Sequence, residues 1–250
     1  MDYLGALTFA IGDDYQNMAA VQAQSWSRIG IPMTVVIKGR ATPALLNSDA
    51  NIVQLDREVT KPFEFEKYAY DLSPYTVTIK TDADLVVPWM WRPTPLMTEL
   101  PLISGKPIGL NGSPMESSPY RETATKFLGL PEVYSAFFTF RKGPDASTFF
   151  RYVDEIFTSY YMTDLPNVEP TPSTDFVYSV AWARLLSSAD LGYTLPFHHM
   201  KHGVHGLSTV GHDWAAEASL SVTTGNIFIN GYQVYHPLHY HNKDLASRFL

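Results

Sequence analysis

The chain opens on an apolar run, Leu4-Gly-Ala-Leu-Thr-Phe-Ala-Ile11, that ends in Gly12-Asp13-Asp14. The run predicts a first β-strand, and the Gly-Asp-Asp that follows supplies a turn and a helix N-cap. Residues 15 to 29 hold neither Gly nor Pro until Gly30 closes the stretch, so a helix is expected there. Met33-Thr-Val-Val-Ile37 and Ile52-Val-Gln-Leu55 are short and rich in β-branched residues, and each reads as a buried strand of a parallel sheet. In Tyr75-Thr-Val-Thr-Ile-Lys80 the larger apolar side chains alternate with Thr76, Thr78 and Lys80, the period of a strand.

Further on, Asp145 can cap a helix in which Phe149, Phe150, Val153, Ile156, Phe157, Tyr160 and Tyr161 recur at i, i+3 and i+4, a core-facing stripe. Pro166, Pro170 and Pro172 break the chain, and Ser173 or Thr174 can cap a helix from about Asp175 to Ser188. The remainder is short mixed segments punctuated by glycine, with a last apolar stretch from Gln233 to Pro237 that suits a strand. Alternating strands and helices without internal repeats predict an α/β fold with a mixed α+β tail.

Composition narrows the class. A chain of 250 residues with 45% hydrophobic and 14% aromatic content can bury a sizeable core, and it reads as a single domain over 1–250. A net charge of −7 gives no whole-chain attraction to phosphate backbones, so a nucleic-acid partner would need a local basic groove. Lys and Arg at positions 121, 126, 141 and 142 are the only candidates singled out for one. The absence of cysteine excludes disulfides and thiolate-bound zinc and fits a reducing compartment, with the cytoplasm as the expectation. The opening apolar run follows Asp2 rather than a basic segment, which is poor signal-peptide grammar. No apolar run approaches the roughly 20 residues that span a bilayer.

The candidate chemistry begins at Thr81-Asp82-Ala83-Asp84-Leu85, directly after the predicted strand. Chance alone supplies roughly one Asp-x-Asp in a chain this long, so the motif gains weight from its place. Ligands of open α/β sheets bind outside the carboxyl ends of the strands, and two carboxylates there can turn toward one hard cation such as Mg²⁺ or Mn²⁺. All eight histidines lie between His198 and His241. His239-Tyr-His241 can present two imidazoles to one side of a strand, whereas His198, His199, His202, His205 and His212 have no clean ligand spacing.

These residues resemble a known family. Leu7-Thr-Phe-Ala-Ile-Gly-Asp-Asp-Tyr15 with the helix ending near Trp26, then Lys67, Asp71-Leu-Ser-Pro-Tyr75 and Thr81-Asp-Ala-Asp-Leu-Val-Val-Pro88, and finally His239-Tyr-His-Asn-Lys243, are similar to the ordered blocks of GT-A glycosyltransferases. The glycogenin and lipopolysaccharide-galactosyltransferase family is the nearest likeness. The resemblance implies a GT-A, Rossmann-like mixed sheet, with residues 1–100 as a nucleotide-sugar-binding half and 101–250 as an acceptor half.

The same resemblance implies residue roles. Ala10, Ile11, Gly12, Asp14 and Tyr15 would hold the nucleobase; Asp82 and Asp84 would bind Mn²⁺ or Mg²⁺, with Ala83 beside the donor. His239 is the first choice as third ligand and His241 the second, with His236 also open, because the C-terminal motif is compressed. Lys243 and Lys67 would pair with donor phosphates; Asp175 and Asp84 would be the catalytic carboxylates, with Asp175 near the sugar and acceptor unless it caps its helix. The family's Asn-x-Gly at the donor sugar is absent around Tyr134–Lys142, which leaves the sugar unspecified. The expected reaction is transfer of a sugar, from a UDP-sugar first, to an acceptor hydroxyl with retention. The acceptor would be a glycan, a protein or DNA with hydroxylated bases. Two other classes stand beside it: a histidine-rich metal hydrolase or oxygenase, and a non-catalytic nucleotide-sugar-binding module.

Overall fold

A computed structural model of the chain describes residues 4–59, 63–108, 129–159, 173–185, 194–199 and 219–249. The first strand β1 (Leu4–Phe9) leads through Gly12 into helix α1 (Asp13–Arg28). Gly12 is the N-cap, with φ 100°, a region that only glycine enters without strain. Neither aspartate caps the helix with its side chain, contrary to expectation; Asp13 and Asp14 lie in its first turn, where carboxylates favour the helix dipole.

Strand β2 (Met33–Ile37), helix α2 (Pro43–Leu46) and strand β3 (Asn51–Gln54) follow. β3 was expected to be buried, yet it pairs only with β2 at the sheet edge and leaves Asn51 and Gln54 exposed. A 3₁₀ segment (Glu64–Tyr68) runs into α3 (Ala69–Leu72), and the chain then enters β4 (Val77–Thr81) and the two-residue β5 (Leu85–Val86). Helix α4 (Pro95–Glu99), strands β6 (Leu102–Ile108) and β7 (Phe137–Arg141), and helices α5 (Pro144–Ser159) and α6 (Thr174–Leu185) come next.

Among the described residues the tail is mostly strand. It holds β8 (Thr194–His199), a small antiparallel sheet of β9 (Leu220–Thr223), β10 (Asn226–Ile229) and β11 (Tyr232–Val234), and then β12 (Leu238–His239). A final 3₁₀ segment spans Lys243–Phe249.

The main sheet has the order β3-β2-β1-β4-β7-β6-β8-β12-β5. It is mixed α/β, as expected: β1, β2, β3 and β4 are mutually parallel, while β7 runs against both β4 and β6. Its strands come from both halves of the chain. One face packs on α1 through Met18, Ala19 and Trp26; the other is covered by α5 and α6 through Phe149, Phe150, Val153, Tyr178 and Trp182. Phe149, Phe150, Val153, Ile156 and Phe157 are all buried, as the stripe predicted; Tyr160 and Tyr161 lie outside the described residues.

The topology sets where a crevice can open. From β1 the chain builds outward through β2 and β3, then returns to the other side of β1 as β4. Connections leaving adjacent parallel strands in opposite directions open a crevice at the strands' carboxyl ends. Those ends carry Ala10-Ile11-Gly12 on β1 and Asp82-Ala83-Asp84 on β4.

Candidate metal and donor site

Backbone pairing brings the two halves of the site together. Asp84 precedes β5, and β12 lies antiparallel to β5 with His239 opposite Leu85. The Tyr240 N–H donates to the Asp84 carbonyl at 3.0 Å, which locks the C-terminal strand beside the acidic loop. His239 Nε2 consequently sits 2.9 Å from Asp84 Oδ1 and 3.7 Å from Asp82 Oδ2. His241 adopts a left-handed backbone, φ 55°, uncommon for a residue with a Cβ. Its Nδ1 is 3.8 Å from Asp84 Oδ2, and its ring centroid is 3.7 Å from that of His239.

Asp84, His239 and His241 thus offer one carboxylate oxygen and two imidazole nitrogens, all within 4.8 Å of one another. Bonds of about 2.0–2.2 Å to a shared cation would bring such donors slightly closer still, so the set fits a divalent ion after small side-chain adjustments. Burial raises the Asp84 carboxyl, but the charges of His239 and His241 and the His239 hydrogen bond outweigh it and hold it down at about 2. Burial likewise disfavours the His239 imidazolium, and Asp84 and Asp82 reverse that and raise it. His236 is half-buried, lowered by burial, and outside this group.

Asp82 faces both ways. Its main chain is clamped by Gln22 of α1, whose Nε2 donates to the Asp82 carbonyl and to Thr81 Oγ1, both at 2.9 Å. Its own N–H donates to the Ala136 carbonyl at 3.2 Å. Below the sheet edge, Lys80 Nζ reaches Asp82 Oδ1 at 3.3 Å, Glu66 Oε2 at 2.5 Å and the Ser135 carbonyl at 2.9 Å. Tyr178 donates to Glu66 Oε2 at 3.2 Å. Burial, aided by the Asp82 charge, raises the Glu66 carboxyl to about 7 against the opposing pull of Lys80. One ammonium serves two carboxylates here, and the fully buried one carries the cost of the surplus negative charge.

Asp175 does not cap its helix. Ser173 does, its Oγ accepting from the Phe176 N–H at 3.3 Å. Asp175 Oδ1 instead accepts from the Ser135 N–H at 2.7 Å and Oγ at 2.9 Å, which ties α6 to the loop entering β7.

On the β1 side, Ala10 is buried and its N–H donates to Val36, while Gly12, Asp14 and Tyr15 are exposed. Tyr15 is 42% exposed, so it is no core residue. Lys243 closes this side, 4.7 Å from the Tyr15 ring centroid and 3.4 Å from Asp14 Oδ2. Lys67 stands elsewhere: its ammonium pairs with Glu64 at 3.0 Å and Asp154 at 2.8 Å. His202, His205 and His212 lie outside the described residues, as do positions 121 and 126.

Lys80, Glu66, Ser135 and Gln22 were not anticipated from sequence. The one signal was Lys80 itself, a lysine two residues before an aspartate on a strand that helices cover on both faces. Its alternation with Tyr75, Val77 and Ile79 suggests a polar outer face, but every residue of β4 is buried.

No protein-family model and no curated protein matches the chain. Among solved structures it is similar to the bifunctional glycosyltransferase WbbM, at 12% identity over 63% of this chain and 35% of that one, TM-score 0.43. It is also similar to the galactosyltransferase LgtC in complex with donor and acceptor sugar analogs, at 11% identity over 71% of this chain and 70% of that one, TM-score 0.46. A mycobacterial protein aligns with 100% of this chain and 89% of its own, at 12% identity and TM-score 0.48. The chain therefore spans about a third of WbbM's length. No helix among the described residues is long and apolar enough to cross a membrane.

Proposed function

We propose that the chain is a metal-dependent glycosyltransferase that moves a sugar from a nucleotide diphosphate sugar, a UDP-sugar first, to an acceptor hydroxyl with retention. One observation carries this reading. Asp82, Asp84, His239 and His241 gather at the carboxyl end of β4, and past the end of the adjacent parallel β1 the exposed ring of Tyr15 faces the ammonium of Lys243, two residues after His241. That combination matches the three parts of such a donor: an ion for the diphosphate, a face for the base, a cation for a phosphate.

In this reading Tyr15 stacks on the base above Ala10, Ile11 and Gly12, with Asp14 at the rim. Lys243 exchanges its contact with Asp14 for a phosphate oxygen. Asp84 and the two imidazoles hold Mn²⁺ or Mg²⁺, which when bound supplies Lewis-acid stabilisation of the charge left on the diphosphate. Asp175, held through Ser135, is positioned behind the crevice toward the sugar and acceptor. Residues 1–100 serve the donor together with His239, His241 and Lys243 of the tail, and the rest of 101–250 serves the acceptor, which is a glycan, a protein or DNA with hydroxylated bases. Lys67, already paired twice, takes no phosphate in this arrangement.

The test is hydrolysis or transfer from nucleotide sugars with and without Mn²⁺. Metal-dependent turnover that Asp84→Ala abolishes is expected, and comparable turnover in Asp84→Ala contradicts the role of the site. A second reading has one specific observation in its favour: two imidazoles and one carboxylate are also the set used for iron or zinc in oxygenases and hydrolases. Stoichiometric iron or zinc in the purified protein, lost with both histidines and kept in Asp82→Ala, favours that reading. Tight nucleotide binding without product points to a non-catalytic binding module.

A further inference from the structure

Lys80 has an environment that stability alone does not explain. It is the penultimate residue of β4, in register with Leu7 of β1 and Phe138 of β7, and both neighbours belong to the apolar layer under α5 and α6. Its side chain is fully buried. Moving an ammonium into such a layer costs several kcal/mol, and a buried ion pair commonly returns no more than apolar residues of similar size would. Glu66 neutralises the charge, but an apolar pair at 66 and 80 would fill the same space with no charge to bury.

The third contact supplies the reason for a lysine. An ammonium has three N–H donors, and here they meet Glu66 Oε2, the Ser135 carbonyl and Asp82 Oδ1. With every donor engaged, the ammonium is fixed. Residues i and i+2 of a strand project from the same face, so Asp82 is the carboxylate that Lys80 can reach as the strand ends. The Asp82 side chain is 35% exposed, and held by Oδ1 it turns Oδ2 toward His239. Ser135, whose carbonyl takes the second donor, is the residue whose N–H and Oγ hold Asp175.

We propose that Lys80 is a positioning residue for the metal-side carboxylate: its ammonium holds one oxygen of Asp82 so that the other faces the Asp84, His239 and His241 donors. The same ammonium, through Ser135, sets the loop on which Asp175 is anchored. This inference rests on the metal reading above. It also opposes a simpler electrostatic expectation, since a lysine beside a cation site that merely repelled the ion would weaken binding by its presence.

The experiment measures Mn²⁺ affinity of the full chain by electron paramagnetic resonance titration at fixed pH. The main variant is Lys80→Met with Glu66→Gln, which removes both buried charges together; Lys80→Gln with Glu66→Gln replaces it if that form does not fold. Circular dichroism and the urea midpoint report folding. Positioning predicts Mn²⁺ binding about 10–100-fold weaker, the usual cost of losing an outer-shell partner. In an Asp82→Asn background the same pair of changes should produce no further loss, because the lysine acts through that carboxylate. Unchanged or tighter binding overturns the proposal, and so does an equal loss in the Asp82→Asn background. If the unaltered chain does not bind Mn²⁺, the metal reading falls, and this inference with it; if it binds and the variants bind alike, only the role of Lys80 falls.

Discussion

Two clusters of charge share Asp82 and differ in how they are closed. Above the sheet edge, Asp84 is held by two imidazoles, groups whose ring nitrogens are cation ligands. Below it, Lys80 is saturated by three oxygens inside an apolar layer, with Glu66 and Tyr178 sealed around it. The upper cluster is built from groups that a divalent ion can bridge, whereas the lower one has no donor left to give. Position along the chain does not make a carboxylate a ligand; what already occupies its oxygens does. In the proposed site Asp84 would therefore be the central ligand, and Asp82 would contribute one oxygen at most.

That contrast can be broken experimentally. The largest effect is expected from Lys80→Met alone, which leaves Glu66 beside Asp82 without a counter-ion. Removing one partner of a buried pair costs about 3–5 kcal/mol, so urea denaturation should show that loss, largely recovered when Glu66→Gln is added. A loss equal in the single and double variants would mean that packing, not charge, governs the lower cluster.

The lower cluster also sets a pH dependence. With its folded pKa raised to about 7 from 4.5, Glu66 contributes stability that is present below pH 4.5 and lost as pH rises through about 7. His239, raised by Asp84, acts in the same sense above its ordinary value of 6.5. Asp84, lowered to about 2, contributes stability that is present above 3.8 and lost as pH falls toward 2. Without added metal the chain should be most stable in mild acid, with a decline toward neutrality that Glu66→Gln makes shallower. Urea midpoints across pH 3–8 check this, and a rise toward neutrality would contradict it.

In the upper cluster, Asp84→Asn should weaken Mn²⁺ binding by more than about 100-fold, beyond the cost of losing an outer-shell partner. Asp82→Asn should cost distinctly less. Equal losses would restore the two aspartates to equal rank. The smallest expected effect is at the β1 loop, where Tyr15→Ala should cost UDP about 1–3 kcal/mol, the range for one aromatic stacked on one base. Calorimetric titration measures it, and unchanged affinity would remove Tyr15 from the base site.

Much of the upper cluster was legible in sequence, because its parts lie at strand ends, where pattern and chemistry coincide. Asp82 and Asp84 follow a period-2 run, and His239 and His241 are two apart, so each pair could be assigned to one loop or one strand edge. The meeting of the pairs depends on β12 docking against β5, a contact between residues 155 apart in the case of Asp84 and His239. Two-residue strands leave almost no pattern, and the residue types alone suggested that meeting. The lower cluster was illegible for another reason. The alternation of Lys80 with Ile79 is that of a strand with one wet face, and the second helical layer that buries the other face is contributed by residues far along the chain. Lys67 is the reverse case: a lysine that matched a motif and is spent on Glu64 and Asp154.

The most direct test of the site as a whole is calorimetric titration of UDP into the full chain with and without Mn²⁺. The account predicts that Mn²⁺ tightens UDP binding at least about tenfold, a coupling of about 1.4 kcal/mol, and that Asp84→Asn abolishes the difference while leaving metal-free binding intact. UDP that binds equally with and without the ion, or an Asp84→Asn variant that keeps the full coupling, would contradict it.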